Sequence, residues 1–352
     1  MSMSLFLALS LYIIFFLFTA PLDKTGKSIR QSLLFFSFLA CVFIVGIRNP
    51  AYWIDSGLYD WSFHETTNTL STFSFDDYFY GYTEKGYYLL CVIAKTIADS
   101  TFVYFTFIAF LSLSFIFYSL DRYSPLPFLG LCVYIAHFMM ARDMNQMRAG
   151  VAIAIVIAAT VLATRRQVLL YIAVCLLAST LHTSVLLAMP LVLMSFFPFK
   201  KKHIFIGILL SFLVAGFFGG TIRAVLPTID FVRELATSYV EEGSEKAWSN
   251  DLTNPMIYFQ TFVLLAYTLW EGKLSKMTPH YYTIRNAYFY STVLLIVLCQ
   301  YGIVAGRTST IFATYEIVIL PLFVKATSRQ YRFFPFLLIL VAMSIFFLRN
   351  FR

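Results

Sequence analysis

Residues 101–120 read TFVYFTFIAFLSLSFIFYSL and contain no charged side chain. An α-helix needs about 20 apolar residues to cross a hydrocarbon core of about 30 Å, so this stretch has the length and composition of one transmembrane helix. Similar runs precede it at 4–20 and 31–47 and follow it to the end of the chain. The sequence therefore predicts an all-α polytopic membrane protein.

The composition agrees with a protein whose solvent is lipid. Hydrophobic residues make up 60% of the 352 positions and charged residues 12%, which excludes an ordinary soluble domain. The five cysteines are odd in number, lie in apolar runs and show no CxxC spacing, so the sequence predicts neither a disulfide framework nor a zinc site. The net charge of +8 is interpreted as membrane orientation, and no nucleic-acid partner is predicted.

The apolar runs predict about 12 spans in one integral membrane domain, 1–352, without internal repeats. They lie near residues 4–20, 31–47, 101–120, 126–141, 148–164, 168–181, 184–197, 204–219, 255–271, 287–305, 308–324 and 333–348. The N-terminal run lacks a basic n-region and is interpreted as an uncleaved first span. Two longer loops remain, 48–100 and 220–254.

The charge of the loops predicts the orientation of the chain. With both long loops on one side, the opposite loops hold 15 Lys and Arg against 3 Asp and Glu, whereas the long-loop side with the termini holds 11 against 14. Cytoplasmic loops are enriched in Lys and Arg, so the long loops are predicted to face outward. This orientation requires 87–98 to be an interfacial or re-entrant helix and 168–197 to be two short spans that meet outside at His182.

Polar residues at span boundaries collect on the predicted outward side. Convergence of these groups in a helix bundle would provide positive charge for a phosphate and a base for proton transfer. The alternative for each arginine is a helix-end contact with lipid headgroups, and for the histidine a structural hydrogen bond. The residues are Arg48, Asp55, Tyr59, Glu84, Arg142, Asp143, Arg148, His182 and Arg307.

Three further features of the sequence concern its possible chemistry. Glu316 lies inside a predicted span, where a carboxylate is costly, so it is expected to be neutral or paired. Motifs of metalloproteases, serine hydrolases, P-loop ATPases and dinucleotide-binding folds are absent from the sequence. Asp76 and Asp77 form a weak signal for a divalent cation, and no metal site is predicted.

Five segments, in this order, resemble the EpsG/Wzy-type polysaccharide polymerases of bacterial envelopes. They are GIRNPAYWIDSGLYDWSF (46–63), TEKGYYLL (83–90), ARDMNQMRAGVAIAI (141–155), LLASTLHTSVLLAMP (176–190) and, more loosely, GRTSTIFATYEIVILP (306–321). The motif residues that match the family are Arg48, Asp55 and Tyr59, Glu84, Gly86 and Tyr87, Arg148 and Ala152, and His182 and Ser184.

The resemblance implies a metal-independent, inverting glycosyl transfer between two undecaprenyl-diphosphate-linked oligosaccharides at the outer face of a bacterial cytoplasmic membrane. It implies no cofactor, and a chain-length regulator as a partner is left open. Arginines suit a diphosphate because their guanidinium is planar and stays charged. We assign Arg48, Arg142, Arg148, Arg307 and Tyr59 to substrate binding. His182, Glu84 and Asp55 are the candidate catalytic residues, with His182 favoured as the base because a neutral imidazole is unprotonated near pH 7.

Three other functions remain open from the sequence. A transporter or flippase of lipid-linked oligosaccharide would also need a polar outward cavity, although the pseudo-symmetric halves typical of transporters are not visible. A membrane O-acyltransferase that uses His182 would need an acyl donor from inside, opposite to the predicted side. An O-antigen ligase-like transferase is the nearest enzymatic alternative.

Overall fold

The computed structural model describes residues 3–74, 84–197, 199–225, 251–300 and 302–350, and every regular element within these ranges is helical. The all-α class predicted from the sequence is confirmed. Most of the predicted loop 220–254 and the pair Asp76 and Asp77 lie outside the described residues.

In the described part of the first half, the chain forms ten α-helices: α1 (Met3–Thr19), α2 (Lys27–Gly46), α3 (Ile54–Thr66), α4 (Lys85–Ile97), α5 (Thr101–Tyr123), α6 (Pro127–Tyr134), α7 (Met140–Arg142), α8 (Met147–Ala158), α9 (Thr160–Thr164) and α10 (Val168–Ser179). The described residues of the second half form eight: α11 (Pro190–Met194), α12 (Lys201–Val225), α13 (Pro255–Leu269), α14 (Glu271–Leu274), α15 (Tyr281–Val297), α16 (Gly302–Ala313), α17 (Glu316–Ala326) and α18 (Phe333–Arg349). A π-helical turn, Ile135–Met139, joins α6 to α7, and a 3₁₀ helix spans Thr183–Ala188.

Six helical segments within the described ranges are long and apolar enough to cross a membrane, or seven if Val304–Ala313 and Glu316–Ala326 form one broken span. The six are Leu5–Lys24, Lys27–Gly46, Thr101–Tyr123, Met147–Thr164, Lys201–Ile222 and Arg329–Arg349. Four shorter apolar helices coincide with other predicted spans: Pro127–Arg142, Val168–Ser179, Thr183–Met194 and Pro255–Leu269. The multi-pass character is therefore confirmed, but the count of about 12 spans is not.

The chain divides into two compact units. The first comprises 1–159, 173–183 and 316–352, and the second 160–172 and 184–315. In the first unit, α5 packs against both α2 and α8, while α6 packs against α17. In the second, α15 packs against α12, α13 and α16. The assignment of the whole chain to a single membrane domain stays a prediction.

Helix α4 has the length expected of a segment that does not cross the membrane. Its 13 residues span about 20 Å, less than a hydrocarbon core of about 30 Å. Lys95 donates from Nζ to the carbonyl oxygens of Phe63 at 2.9 Å and His64 at 2.6 Å, and it pairs with Asp99 at 3.2 Å. A lysine near the end of α4 thus satisfies carbonyls at the C-terminus of α3, which holds α3 against α4.

Candidate functional site

Glu84 is the centre of a polar network in the first unit. It directly precedes α4, and its side chain is 13% exposed. Arg148 donates from one terminal guanidinium nitrogen to Oε2 of Glu84 at 2.8 Å. His182 Nδ1 lies 3.1 Å from Oε1, and the backbone N–H of Thr183 donates to the same oxygen at 2.9 Å. Both carboxylate oxygens are therefore bound by donors from other segments.

A close backbone approach holds Glu84 beside His182. A Cβ atom on Gly86 would lie 2.3 Å from Oγ1 and 2.7 Å from both Cβ and the carbonyl oxygen of Thr180, so the segments meet at a distance that only glycine permits. The N–H of Tyr87 donates to that carbonyl oxygen at 3.2 Å. The segments 84–87 and 180–183 are thereby fixed to each other, which gives the glycine of the Glu-x-Gly-Tyr motif a physical role.

Tyr59 reaches the network from α3. Its hydroxyl accepts a hydrogen bond from Nε of Arg148 at 3.1 Å, and the guanidinium carbon of Arg148 lies 5.6 Å from the centre of the Tyr59 ring. The side chain of Arg148 is 14% exposed. Two of its nitrogens are directed by partners on different segments, Tyr59 and Glu84, so the guanidinium is held in one orientation at the start of α8.

Arg48 and Asp55 lie where α3 meets the start of α8. The guanidinium of Arg48 donates to the carbonyl of Val45 at 2.7 Å, contacts the sulfur of Met147 at 2.7 Å, and covers the ring of Phe105 at 3.6 Å. The backbone N–H of Asp55 donates to Oδ1 of Asn145 at 2.9 Å. Arg48 is 8% exposed, and it contacts the residue that immediately precedes Arg148.

Arg142 belongs to a different buried group. The hydroxyls of Ser112 and Tyr134 donate to Asp143 at 2.6 and 2.7 Å, and the guanidinium of Arg142 lies 4.6 Å from the ring centre of Phe138. Arg142 and Asp143 are both 3% exposed. Arg307, the remaining predicted arginine, is half-buried on α16 in the second unit.

A second histidine–glutamate pair lies among the helices of the first unit. His137 Nδ1 is 2.8 Å from Oε2 of Glu316, which is fully buried. The imidazole is stacked between the rings of Phe138 and Phe346, with centres 4.2 Å away on each side. Glu316 is therefore paired, one of the two states expected from the sequence, and its partner His137 was not recognised there.

The contacts of Glu84 determine its charge and the tautomer of His182. Burial alone would raise the pKa of Glu84, but the hydrogen bond from His182, the positive charge of Arg148 and the N–H of Thr183 outweigh burial and lower the pKa to about 2. An ionised carboxylate only accepts hydrogen bonds, so Nδ1 of His182 carries a proton. The lone pair of a neutral imidazole then lies on Nε2, the atom suited to take a proton from a substrate.

The structure thus unites Glu84, Arg148, His182 and Tyr59 in one network. Thr183 also binds Glu84, and it is not one of the residues predicted from the sequence. The only hint in the sequence was its position between the histidine and serine of the His-x-Ser motif. Within the described residues, no group of three or more His, Cys, Asp or Glu side chains is arranged to hold a metal ion.

Comparison with known proteins identifies the family to which the chain belongs. The amylovoran biosynthesis protein AmsC of Erwinia amylovora is 23% identical over 322 residues, which cover 87% of this chain and 84% of that protein. No solved structure matches the chain. The EpsG family model matches residues 31–352, a range that contains every residue of the network, and the chain therefore belongs to the EpsG family.

Proposed function

We propose that the protein is a membrane polysaccharide polymerase, a glycosyltransferase that acts on lipid-linked oligosaccharides. Membership of the EpsG family and similarity to a protein of amylovoran biosynthesis support this class. The observation that carries the chemistry is the chain of contacts from Arg148 through Glu84 to His182. It joins a fixed positive charge to an imidazole oriented by a carboxylate, two groups that a glycosyl transfer from a diphosphate requires.

The proposed reaction joins two undecaprenyl-diphosphate-linked glycans with inversion at the anomeric carbon. A hydroxyl oxygen of the acceptor repeat unit attacks the anomeric carbon of the growing chain, and the bond from this carbon to the diphosphate oxygen breaks. Nε2 of His182 takes the hydroxyl proton, and Glu84 stabilises the imidazolium that forms. The carrier diphosphate leaves with the bonding electron pair.

Arg148 is assigned to the leaving diphosphate. Its guanidinium is fixed by Tyr59 and Glu84, so its orientation is set before the substrate binds. Preorganised donors stabilise developing negative charge more than mobile ones, because they need no reorganisation during the reaction. In this proposal arginine neutralises the diphosphate in place of a metal ion. Arg48, Arg142 and Arg307 are retained as further contacts for anionic parts of the substrates.

Glu84 fits the role of an orienting carboxylate better than that of the base. Its pKa of about 2 makes it a weak proton acceptor, and both of its oxygens already accept hydrogen bonds. These contacts support His182 rather than Glu84 as the base in this proposal. Asp55 is assigned to the junction of α3 with α8, where its backbone binds Asn145.

The first test separates polymerisation from other steps. Deletion of the gene should leave single repeat units on the lipid carrier, whereas complete chains left on the carrier would indicate a ligase. Repeat units retained on the cytoplasmic side would indicate a flippase. With purified protein and synthetic lipid-linked repeats, His182→Ala should lose about 10²-fold or more in turnover. Turnover at the wild-type rate would overturn the assignment of the base.

The second test addresses the orientation. Glu84 and His182 are in contact, so the loop 48–100 and the turn at His182 share one compartment, which we propose is the cell exterior. A cysteine at the exposed Ser71 should react with an impermeant thiol reagent added to intact spheroplasts. A cysteine at the exposed Lys202 is the matched control and should react only after permeabilisation. The reverse pattern would contradict the orientation.

A further inference from the structure

We propose that the hydroxyl of Thr183 is a positioning group that sets how strongly Glu84 acts on His182, an inference that rests on the proposed function. Oγ1 of Thr183 lies 3.3 Å from Oε1 of Glu84, the same oxygen that binds Nδ1 of His182 at 3.1 Å. The backbone N–H of Thr183 donates to this oxygen too, at 2.9 Å. Three donors from two consecutive residues thus converge on one carboxylate oxygen.

The shared oxygen couples the hydroxyl to the imidazole. A carboxylate oxygen shares its negative charge among all the donors that bind it. Each additional donor therefore weakens the hydrogen bonds from the other donors. The Thr183 hydroxyl therefore reduces the pull of Glu84 on the proton at Nδ1, while the backbone N–H holds the carboxylate in place. Loss of the hydroxyl is expected to strengthen the His182–Glu84 interaction and to favour the protonated imidazole, which is inactive as a base.

The geometry around Thr183 restricts how far Glu84 can move when the hydroxyl is lost. The close approach of Gly86 to Thr180 fixes the two backbones on one side of the carboxylate, and Arg148 holds the other carboxylate oxygen at 2.8 Å. Glu84 has little freedom to move toward or away from His182. Among the donors to Oε1 from the described residues, the Thr183 hydroxyl is the one that a side-chain substitution removes while the imidazole remains.

The test compares two substitutions that differ in the hydroxyl. Thr183→Val keeps the shape and the backbone N–H but removes the hydroxyl, whereas Thr183→Ser keeps the hydroxyl and removes a methyl group. With purified protein and synthetic lipid-linked repeats, Thr183→Val should lower kcat about 3- to 10-fold with KM unchanged. The acidic limb of its pH–rate profile should move to higher pH. Thr183→Ser should restore both properties.

The outcomes distinguish this inference from the proposed function. If Thr183→Val matches the wild type in kcat and pH profile while His182→Ala is inactive, the positioning role is wrong and the function stands. If Thr183→Ser is impaired as much as Thr183→Val, the methyl group rather than the hydroxyl is required, and the inference is again overturned. If His182→Ala is fully active, the proposed base is wrong, and the inference falls with it.

Discussion

Two histidine–glutamate pairs in the described part of the first unit have similar contact distances but different surroundings. His182 and Glu84 are 3.1 Å apart at the ends of helical segments, where Arg148 and the N–H of Thr183 also bind the carboxylate. His137 and Glu316 are 2.8 Å apart, with the carboxylate fully buried and the imidazole between two phenylalanine rings. The shorter contact is the one between His137 and Glu316, although His137 lies outside the segments that resemble the family. The distance between imidazole and carboxylate therefore does not identify the functional site.

The difference lies in what surrounds each carboxylate. Glu84 accepts hydrogen bonds from an arginine and a backbone amide as well as facing His182, and its ionised carboxylate can stabilise positive charge on the imidazole. The imidazole of His137 is enclosed by aromatic rings, and its carboxylate partner is fully buried. Under the proposed function, His182 and Glu84 are expected to serve catalysis, and His137 and Glu316 are expected to serve stability.

Neutralising each glutamate in turn should separate the roles of the two pairs most clearly. Glu84→Gln keeps the side-chain volume but removes the charge that orients His182 and balances Arg148, so turnover should fall about 10³-fold. Glu316→Gln should reduce the amount of folded protein, while turnover per folded molecule stays near the wild-type value. Turnover of purified protein, normalised to its monodisperse fraction, measures both. Equal losses in the two variants would place His137 and Glu316 in the site.

A second prediction concerns stability. His137→Phe leaves Glu316 buried without its imidazole partner, which should cost about 3–5 kcal/mol in the free energy of unfolding. The double substitution His137→Phe with Glu316→Leu removes both polar groups and should recover most of that stability, because a packed apolar pair replaces the polar one. Thermal unfolding in a single detergent compares the three proteins. A double variant as unstable as the single one would show that Glu316 has another essential partner.

A third prediction sharpens the role of Arg148. Arg148→Lys keeps the positive charge but loses Nε, the donor to Tyr59, so turnover should fall about tenfold. Arg148→Ala should fall about 10²-fold, as for the loss of one transition-state donor. Arg122→Lys, at an exposed position near the end of α5, is the matched control and should retain the wild-type rate. Wild-type turnover in Arg148→Ala would reduce Arg148 to a contact with lipid headgroups.

The smallest expected effect is the pH dependence of stability. The pKa of Glu84 is lowered from its ordinary value of 4.5 to about 2 in the folded protein. A lowered pKa means that the carboxylate stabilises the fold fully above about pH 4.5 and loses this contribution as the pH falls toward 2. The difference in Tm between the wild type and Glu84→Gln should thus be constant from pH 7 to pH 5 and narrow below it. A difference that widens on acidification would contradict the assigned charge.

The sequence predicted the helical class and the family because both depend on local patterns. Long apolar runs identify spans one at a time, and the motifs around Glu84, Arg148 and His182 are each a few residues long. The number of membrane spans was harder to predict from the sequence than the helical class. The region after His182 consists of a 3₁₀ helix followed by the five-residue α11, and α16 ends before α17 begins, so apolar composition alone does not show where a helix is too short to cross.

The contacts of the site were less predictable than its members. Thr183 binds Glu84 partly through a backbone N–H, a group that every residue except proline carries, so its identity gave no signal. His137 lies in an apolar run, and its partner Glu316 is 179 residues away. The substrate role of Arg48, inferred from its place at a span boundary, stays a prediction, and the sequence did not reveal its contacts with Ser56, Met147 and Phe105. The direction of a side chain depends on packing between distant segments, so the sequence alone does not show which partners that side chain contacts.

The separation of His137 from Glu316 has a consequence for biosynthesis. At about 5–20 residues per second, the ribosome needs roughly 10–35 s to synthesise the 179 residues that follow His137 up to and including Glu316. During that interval the nascent chain contains His137 but not yet Glu316. A chain that ends at residue 315 never forms this pair. Such a truncated chain should be degraded faster in a pulse-chase experiment than one that extends through α18. Equal half-lives would show that the first unit is protected before its last two helices arrive.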